Sequence, residues 1–310
     1  MAKCSKCGEK AVTFIRYNGN HLCQDHLEEY VERRVKTEIR HQINLDGIGH
    51  IAVALSGGKD SSVTLRILAD ILAPRSDIDL SAITIDEGIK GYRQKTLKKA
   101  KTLTKSIGIT HHIVSFKDEF EITMDAIAAD VGDKTACTFC GVLRRKCLNK
   151  TAKGIGANVI ATGLNLDDTA QSIMMNFTRA DVERMARLGP HSKVQPGLIP
   201  RIQPLRSIPE KEAYLYAMLR NVPFSDETCP YANDAIRNQY RDMIDRMEAR
   251  TPGTRHSILA SYDAILPLLR DHFLASSLNS CSCGEPTPKK KCMACELLEN
   301  IREQDDQKKS

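Results

Sequence analysis

The residues best equipped for chemistry in this chain are its cysteines, and they come in groups. Of eleven, three lie within the first 23 residues, three between 137 and 147, one at 229 and four between 281 and 295. Clustering of this kind reads as metal binding. Cys4-x2-Cys7-x15-Cys23-x2-His26 offers four ligands in two short hooks, the spacing of a structural zinc knuckle. Cys281-x-Cys283-x8-Cys292-x2-Cys295 has a tighter first hook and is also read as zinc. Free thiols on a loose tail are the alternative, and four together argue against it. Cys137-x2-Cys140 with Cys229 differs. Three thiolates cannot close a tetrahedral structural site, but they can hold three irons of a [4Fe–4S] cluster and leave the fourth open. An open position is what catalysis requires. Taken without the rest, Cys137-x2-Cys140 also suits half a zinc site or a redox pair. Cys147, seven residues past Cys140, reads as a thiol buried on a helix.

The second chemical feature is Ser56-Gly57-Gly58-Lys59-Asp60-Ser61, which follows the apolar run His50–Leu55 and opens a helical pattern. Two glycines allow backbone N–H groups to approach an anion closely, and a helix N-terminus adds partial positive charge. Ser56 and Ser61 can donate hydroxyls, Lys59 supplies a charge, and Asp60 can hold Mg²⁺. The loop is neither Gly-x4-Gly-Lys-Ser/Thr nor Gly-x-Gly-x-x-Gly. An isolated Gly-Gly would more often be an ordinary turn. Two further segments end strands: Asp86-Glu87-Gly88-Ile89, and Gly163-Leu164-Asn165-Leu166-Asp167-Asp168. Asp168 reads either as a carboxylate favoured by a helix dipole or, beside a triphosphate, as a metal ligand.

Periodicity supplies the elements that must position these residues. Strands are expected at His50–Leu55, Leu80–Ile85, His111–Phe116 and Asn158–Thr162. Helices are expected at Leu27–Ile43, Ser62–Leu72, Tyr92–Ile107 (closed by Gly108), Glu119–Val131, Cys140–Lys153 and Asp167–Phe177. The alternation predicts an α/β fold with a parallel sheet and right-handed crossovers. Residues 186–209, with five prolines, read as a loop carrying His191, Lys193, Arg201 and Arg206. Helices follow at Glu210–Leu219, Ala232–Glu248 and Thr254–Leu278, then a polar tail.

In its strand–loop–helix setting, Ser56–Ser61 resembles the PP-loop of the ATP pyrophosphatase family. Gly163–Asp168 resembles that family's second signature, G-x-N-x-D-D. Cys137-Thr138-Phe139-Cys140-Gly141-Val142-Leu143-Arg144-Arg145 resembles the cluster motif of the NcsA/TtuA/TtcA branch of PP-loop tRNA thiolases, and Cys229 before Pro230 matches its third ligand. Both terminal knots resemble that branch's zinc modules, so the likeness covers nearly the whole chain.

The resemblance implies a PP-loop sheet flanked by helices with a zinc module at each end. Its expected units are 1–30 (zinc), 31–230 (ATP binding and catalysis), 231–278 (helical) and 279–310 (zinc and tail). It implies a tRNA 2-thiouridine synthetase. ATP would adenylate the uridine C2 oxygen, releasing pyrophosphate, and sulfur on the cluster's open iron would displace AMP. The sulfur would come from sulfide or a ubiquitin-like sulfur carrier. The implied cofactors are ATP, Mg²⁺, one [4Fe–4S] cluster and two Zn²⁺; a homodimer is implied as well. The implied nucleotide site is Ser56, Gly57, Gly58, Lys59, Asp60, Ser61, Asp86, Gly163 and Asp168. Catalysis would fall to Cys137, Cys140, Cys229, Lys59, Asp60 and Asp168. Arg144 or Arg145 would steady negative charge, unless they belong to a solvated helix face. Arg187-Leu188-Gly189-Pro190 and Gly197–Leu205 look more like the wobble-uridine branch than the T-loop branch.

Composition bounds the alternatives. A net charge of +6 permits nucleic acid without requiring it, and 5% aromatics with no Trp gives no support to a base-stacking sheet. No stretch approaches the ~20 apolar residues of a membrane span. Met1-Ala2-Lys3-Cys4 opens without an apolar signal, so a cytoplasmic setting is expected. A PP-loop ligase or amidase acting on a small molecule leaves Cys137, Cys140 and Cys229 unexplained. A zinc-bearing RNA-binding adaptor leaves Ser56–Ser61 and Asp168 unexplained.

Overall fold

The computed structural model describes residues 2–131, 133–191, 197–232, 236–273 and 278–309, without the side chains of 133–135 and 304–309. Lys193, named above, and Pro196, one of the five prolines of 186–209, lie outside the described residues, as do positions 233–235 and 274–277 of the two expected C-terminal helices.

The chain opens with a hairpin, β1 (Thr13–Ile15) and β2 (Asn20–Leu22), and enters α1 (Gln24–Gln42). Leu27, Val31, Val35 and Ile39 recur every four residues on α1 and are buried, so burial of one stripe anchors the helix. The repeating unit follows: β3 (His50–Ala54), α2 (Lys59–Leu72), β4 (Asp79–Asp86), α3 (Arg93–Ile107) and β5 (Thr110–Ser115). Gly108 ends α3 in the left-handed region at φ 81°, a conformation that glycine takes without strain.

Two short helices, α4 (Phe116–Phe120) and α5 (Met124–Val131), stand where one was expected, and Glu121 at φ 62° turns the chain between them. Helix α6 (Asp133–Gly154) begins well before Cys140, so Cys137 sits on the helix rather than ahead of it. Then come β6 (Val159–Thr162), α7 (Leu166–Thr178) and α8 (Val182–Ala186). The proline-rich stretch is not all loop: β7 (Arg201–Ile202) pairs with β6 inside it. Flanking prolines confine β7 to two residues at the sheet edge, where a missing N–H costs least. Helices α9 (Glu210–Leu219), α10 (Arg237–Arg250) and α11 (Thr254–Phe273) follow, with a 3₁₀ turn at Pro230–Ala232. The chain closes with β8 (Asn279–Ser280), β9 (Pro286–Thr287) and α12 (Met293–Lys309).

The five-stranded sheet has the order β5-β4-β3-β6-β7 and is parallel throughout. Strands after β3 first build outward in one direction, and β6 then returns to its other side. The reversal lies between β3 and β6, the crevice in which open α/β sheets bind ligands. One face of the sheet is packed by α1, α2 and α9; the other by α5 and α6, where Cys281 and Cys292 join the same apolar cluster. Each buried Leu or Ile contributes about 1.5–3 kcal/mol, which fixes the crevice on a rigid base. No helix among the described residues is long and apolar enough to cross a membrane.

Candidate active site and metal centres

The loop between β3 and α2 is held by its own serines. Ser56 N–H donates to Ser61 Oγ at 3.1 Å, Ser61 Oγ donates to the Gly58 carbonyl at 3.0 Å, and Gly58 N–H reaches Ser56 Oγ at 3.3 Å. Gly57 takes φ +84°, and a Cβ there would fall 2.1 Å from the Thr96 carbonyl of α3. The loop therefore presses on α3 at a point only glycine fits. Gly163 is equally confined: its Cβ would lie 2.6 Å from Ser61 N. That contact brings the N-terminus of α7 against that of α2, so two helix dipoles face one spot.

Asn165 caps α7, accepting Asp168 N–H at 2.9 Å, while Asp168 accepts Asn165 N–H at 3.4 Å. The G-x-N-x-D-D pattern is thus a capping box as well as an acidic cluster. Burial pushes the Asp60 carboxyl up to about 6; Lys59 pulls against this and Asp168 adds to it. Burial raises Asp168 too, against the pull of Arg237. Two buried carboxylates, one raised by the charge of the other, suit a divalent cation with a polyphosphate. Lys59 Nζ stands 2.9 Å from Glu210 of α9 and 3.4 Å from Asp60. Asp86 Oδ1 accepts Gly88 N–H at 2.9 Å, shaping the turn after β4.

Four participants escaped sequence reasoning: Glu87, Arg93, Glu210 and Arg237. Arg93 is buried, and its guanidinium donates to the Ser56 carbonyl at 2.8 Å and to the Ile85 carbonyl. Glu87, next to the chosen Asp86, lies 3.0 Å from Arg93 and 3.7 Å from Arg144. Arg237 of α10 reaches Asp168 at 3.6 Å and Ser172 at 3.0 Å. Nothing in sequence linked Glu210 to Lys59, 151 residues away, or Arg237 to Asp168.

Cys137 and Cys140 share one face of α6 by their i, i+3 spacing, and Cys229 comes in from the segment before the 3₁₀ turn. Cys137 Sγ bonds to the Tyr231 carbonyl at 3.3 Å. Burial pushes the Cys140 thiol up to about 11, with Arg144 opposing and Glu87, Cys229 and Cys137 adding to the rise. The three thiols feel one another electrostatically, yet their sulfurs do not converge within the reach of one ion. That wider spacing fits a cluster in which each thiolate takes a different iron. Arg144 is half exposed, at 53%, so it is open to solvent beside the thiols rather than committed to the core. Cys147 is buried in the apolar core on α6, its thiol pushed up to about 12 by that burial.

The two knots look different. Ligand atoms of Cys4, Cys7, Cys23 and His26 all lie within 4.8 Å of one another, as do those of Cys281, Cys283, Cys292 and Cys295. Cys7–Cys23, Cys283–Cys292 and Cys281–Cys295 stand at 3.7, 3.6 and 3.9 Å. A tetrahedral ion bound by sulfur at ~2.3 Å has an S···S edge of about 3.8 Å. Both are four-ligand metal sites in geometry. The C-terminal one docks on α6: Lys146 Nζ donates to Cys283 Sγ at 3.1 Å, and Asn149 to Glu285 at 3.3 Å. The N-terminal one is tied to α9 by Tyr17, whose hydroxyl donates to Glu212 at 2.5 Å.

Fold, loop and capping box together define a PP-loop protein, and a family model of the PP-loop domain matches residues 28–247. A model of the N-terminal LIM domain of the 2-thiouridine synthetase TtuA matches residues 3–28. The tRNA 2-thiolation protein NcsA of Haloferax volcanii is 38% identical over 317 residues, covering 96% of this chain and 99% of its own. The cytoplasmic tRNA 2-thiolation protein 1 of Xenopus laevis is 34% identical, covering 96% and 88%. The solved structure of the U34-tRNA thiolase NcsA from Methanococcus maripaludis with its [4Fe-4S] cluster superposes with a TM-score of 0.83 at 32% identity, covering 97% of each chain. The chain belongs to the PP-loop family of tRNA 2-thiolation proteins.

Proposed function

We propose that this protein is an ATP-dependent tRNA sulfurtransferase that converts a uridine, at the wobble position, to 2-thiouridine. The observation that carries the reading is the link between two chemistries: Glu87 lies between Arg93, which holds the Ser56 carbonyl of the loop at the β3/β6 switch point, and Arg144, beside the thiols of α6 and the 229 segment. The loop amides and Lys59 stabilise charge on the phosphates, as preorganised donors do. Asp60 and Asp168 hold Mg²⁺, and Lys59 exchanges its pairing with Glu210 for the triphosphate. The uridine C2 oxygen attacks the α-phosphorus and pyrophosphate leaves; sulfur then attacks C2 and the C–O bond breaks, releasing AMP.

Cys137, Cys140 and Cys229 hold the [4Fe–4S] cluster, which when bound supplies an iron position open to sulfur. Arg144, beside these thiols, places positive charge where sulfur carries negative charge. The two terminal knots hold Zn²⁺ and act structurally, because all four positions are filled by protein. Sulfide or a ubiquitin-like carrier delivers the sulfur, the enzyme works as a homodimer, and it resides in the cytoplasm.

The test is anaerobic purification with iron and zinc counts, followed by assay of ATP- and tRNA-dependent 2-thiouridine formation by nucleoside analysis. About four irons, two zincs and product at the wobble position support the reading. Pyrophosphate release indifferent to tRNA would sink it in favour of a small-molecule ligase. Product confined to the T-loop would retain the chemistry and correct the position.

A further inference from the structure

Helix α3 carries Arg93, Lys95, Lys98, Lys99, Lys101 and Lys105 and no acidic residue. Lys95 is paired with Glu227 at 2.7 Å. Lys98, Lys99, Lys101 and Lys105 are exposed and form no ion pair among the described residues. Like charges three and four residues apart repel, so this face gains from an anion that lies along it.

The face borders a groove. Between α3 and the end of α9 runs a hollow of about 550 Å³, with Lys98 and Lys99 on its rim and Met218, Val222, Pro223 and Phe224 beneath. A second hollow of about 490 Å³ shares Lys98 and continues to Lys101 and Lys105. The floor is apolar and partly aromatic: Met218 is 51% exposed, and Tyr214 braces Phe224 edge-on at 6.2 Å. The chain that makes this floor then enters the active site. Ser225, next to Phe224, donates its N–H to the Gly57 carbonyl at 2.9 Å, and Cys229 lies four residues further on.

We propose that this groove seats an unpaired stretch of the RNA substrate leading to the modified nucleotide, with phosphates on Lys98, Lys99 and Lys101 and a base against Met218 and Phe224. The proposal rests on the tRNA-thiolation reading. A lysine rim alone fits any polyanion, and duplex RNA offers it phosphates without a free base face. An apolar floor with an aromatic under that rim fits single-stranded nucleotides, which supply both. The charge-free alternative, an apolar partner, leaves the four unpaired lysines unused.

The test titrates the metal-loaded full chain with tRNA across a series of salt concentrations. Lys98→Glu/Lys99→Glu is expected to weaken binding by about ten-fold or more at low salt and to flatten the log–log salt slope by about 1.4, since each single-strand phosphate contact contributes about 0.7. Phe224→Leu keeps the core filled but removes the stacking face; it is expected to weaken binding by about ten-fold with the slope unchanged. ATP affinity and melting temperature should match the parent in both. Arg33→Glu/Lys36→Glu, on exposed positions of α1, controls for overall charge. Parent-like tRNA affinity and slope in the α3 variant overturn the groove while leaving the thiolation reading intact. Parent enzyme that neither binds nor thiolates tRNA overturns both. Loss of response to an acidic sulfur-carrier protein, with tRNA binding unchanged, overturns the groove in favour of protein docking.

Discussion

Glu87 Oε2 stands 3.0 Å from Arg93 Nε, with both side chains almost fully buried. This pair joins the two halves of the site. Arg93 holds the carbonyl of Ser56 in the PP-loop, and the other oxygen of Glu87 faces Arg144 beside the thiols of Cys140 and Cys229. Removing one member of a buried pair strands a charge, at a cost of about 3–5 kcal/mol. Glu87→Ala is therefore expected to lower stability by that order in a denaturant titration and to reduce ATP affinity through the loosened loop. Arg144→Ala should leave stability near the parent value, since Arg144 is half exposed, yet slow thiolation. Equal losses of stability in both variants would contradict this division of roles.

The glycines of the loop are not equivalent. A methyl group at Gly57 meets the Thr96 carbonyl at 2.1 Å in a left-handed backbone, whereas one at Gly58 meets only Ser56 Oγ at 3.5 Å. Gly57→Ala must move the loop or α3, and a displacement near 1 Å at a catalytic group costs about a hundred-fold in rate. Pyrophosphate release is expected to fall by about that factor in Gly57→Ala and by much less in Gly58→Ala. Comparable rates in the two would show that the pinch against α3 is not what sets the loop.

The Asp60 carboxyl, raised to about 6 by burial, gives the nucleotide site a pH dependence. Its folded value lies above the unfolded one, so the bound proton stabilises the ligand-free protein. That stabilisation is full below the ordinary carboxylate value of about 4 and is lost as pH rises through about 6. Mg²⁺ needs the ionised form, so Mg-ATP affinity moves the opposite way. It is expected to fall by about ten-fold per pH unit below 6, and Asp60→Asn should flatten the profile while lowering affinity throughout. Calorimetric titrations at several pH values read both effects, and a flat parent profile would refute the assignment.

Metal counting separates the eleven cysteines by role. Cys137→Ala, Cys140→Ala and Cys229→Ala are each expected to lose iron and thiolation while keeping both zincs. Cys147→Ala should keep iron and activity, because its thiol points into the core on α6, and should lose roughly 1 kcal/mol of packing. Cys283→Ala should lose one zinc and loosen α6, since Lys146 of that helix bonds to Cys283. A colourless Cys147→Ala protein would refute the separation.

Much of this architecture was legible in the residues themselves, and the reason is locality. Ser56–Ser61, the capping box at Asn165–Asp168 and the Cys-x2-Cys hooks are short strings whose geometry is set within one turn or one knuckle, so spacing alone specifies them. Short apolar runs predicted four strands of the sheet; the inner three, β3, β4 and β6, are largely buried and so need continuous apolar sequence. β7 went unread because an edge strand of two residues between prolines has no periodicity to detect. The early start of α6 also went unread, because the buried apolar residues Ala136 and Phe139 are too few to fix a period before Cys140. What only tertiary structure decided is which distant groups share a space. The β5-β4-β3-β6-β7 order brings Gly163 against Ser61, Glu210 against Lys59 and Arg237 against Asp168. Buried charges must find partners wherever packing puts them: Glu87 pairs with Arg93, close by in the chain, and also faces Arg144 of α6, a pairing that no local pattern encodes.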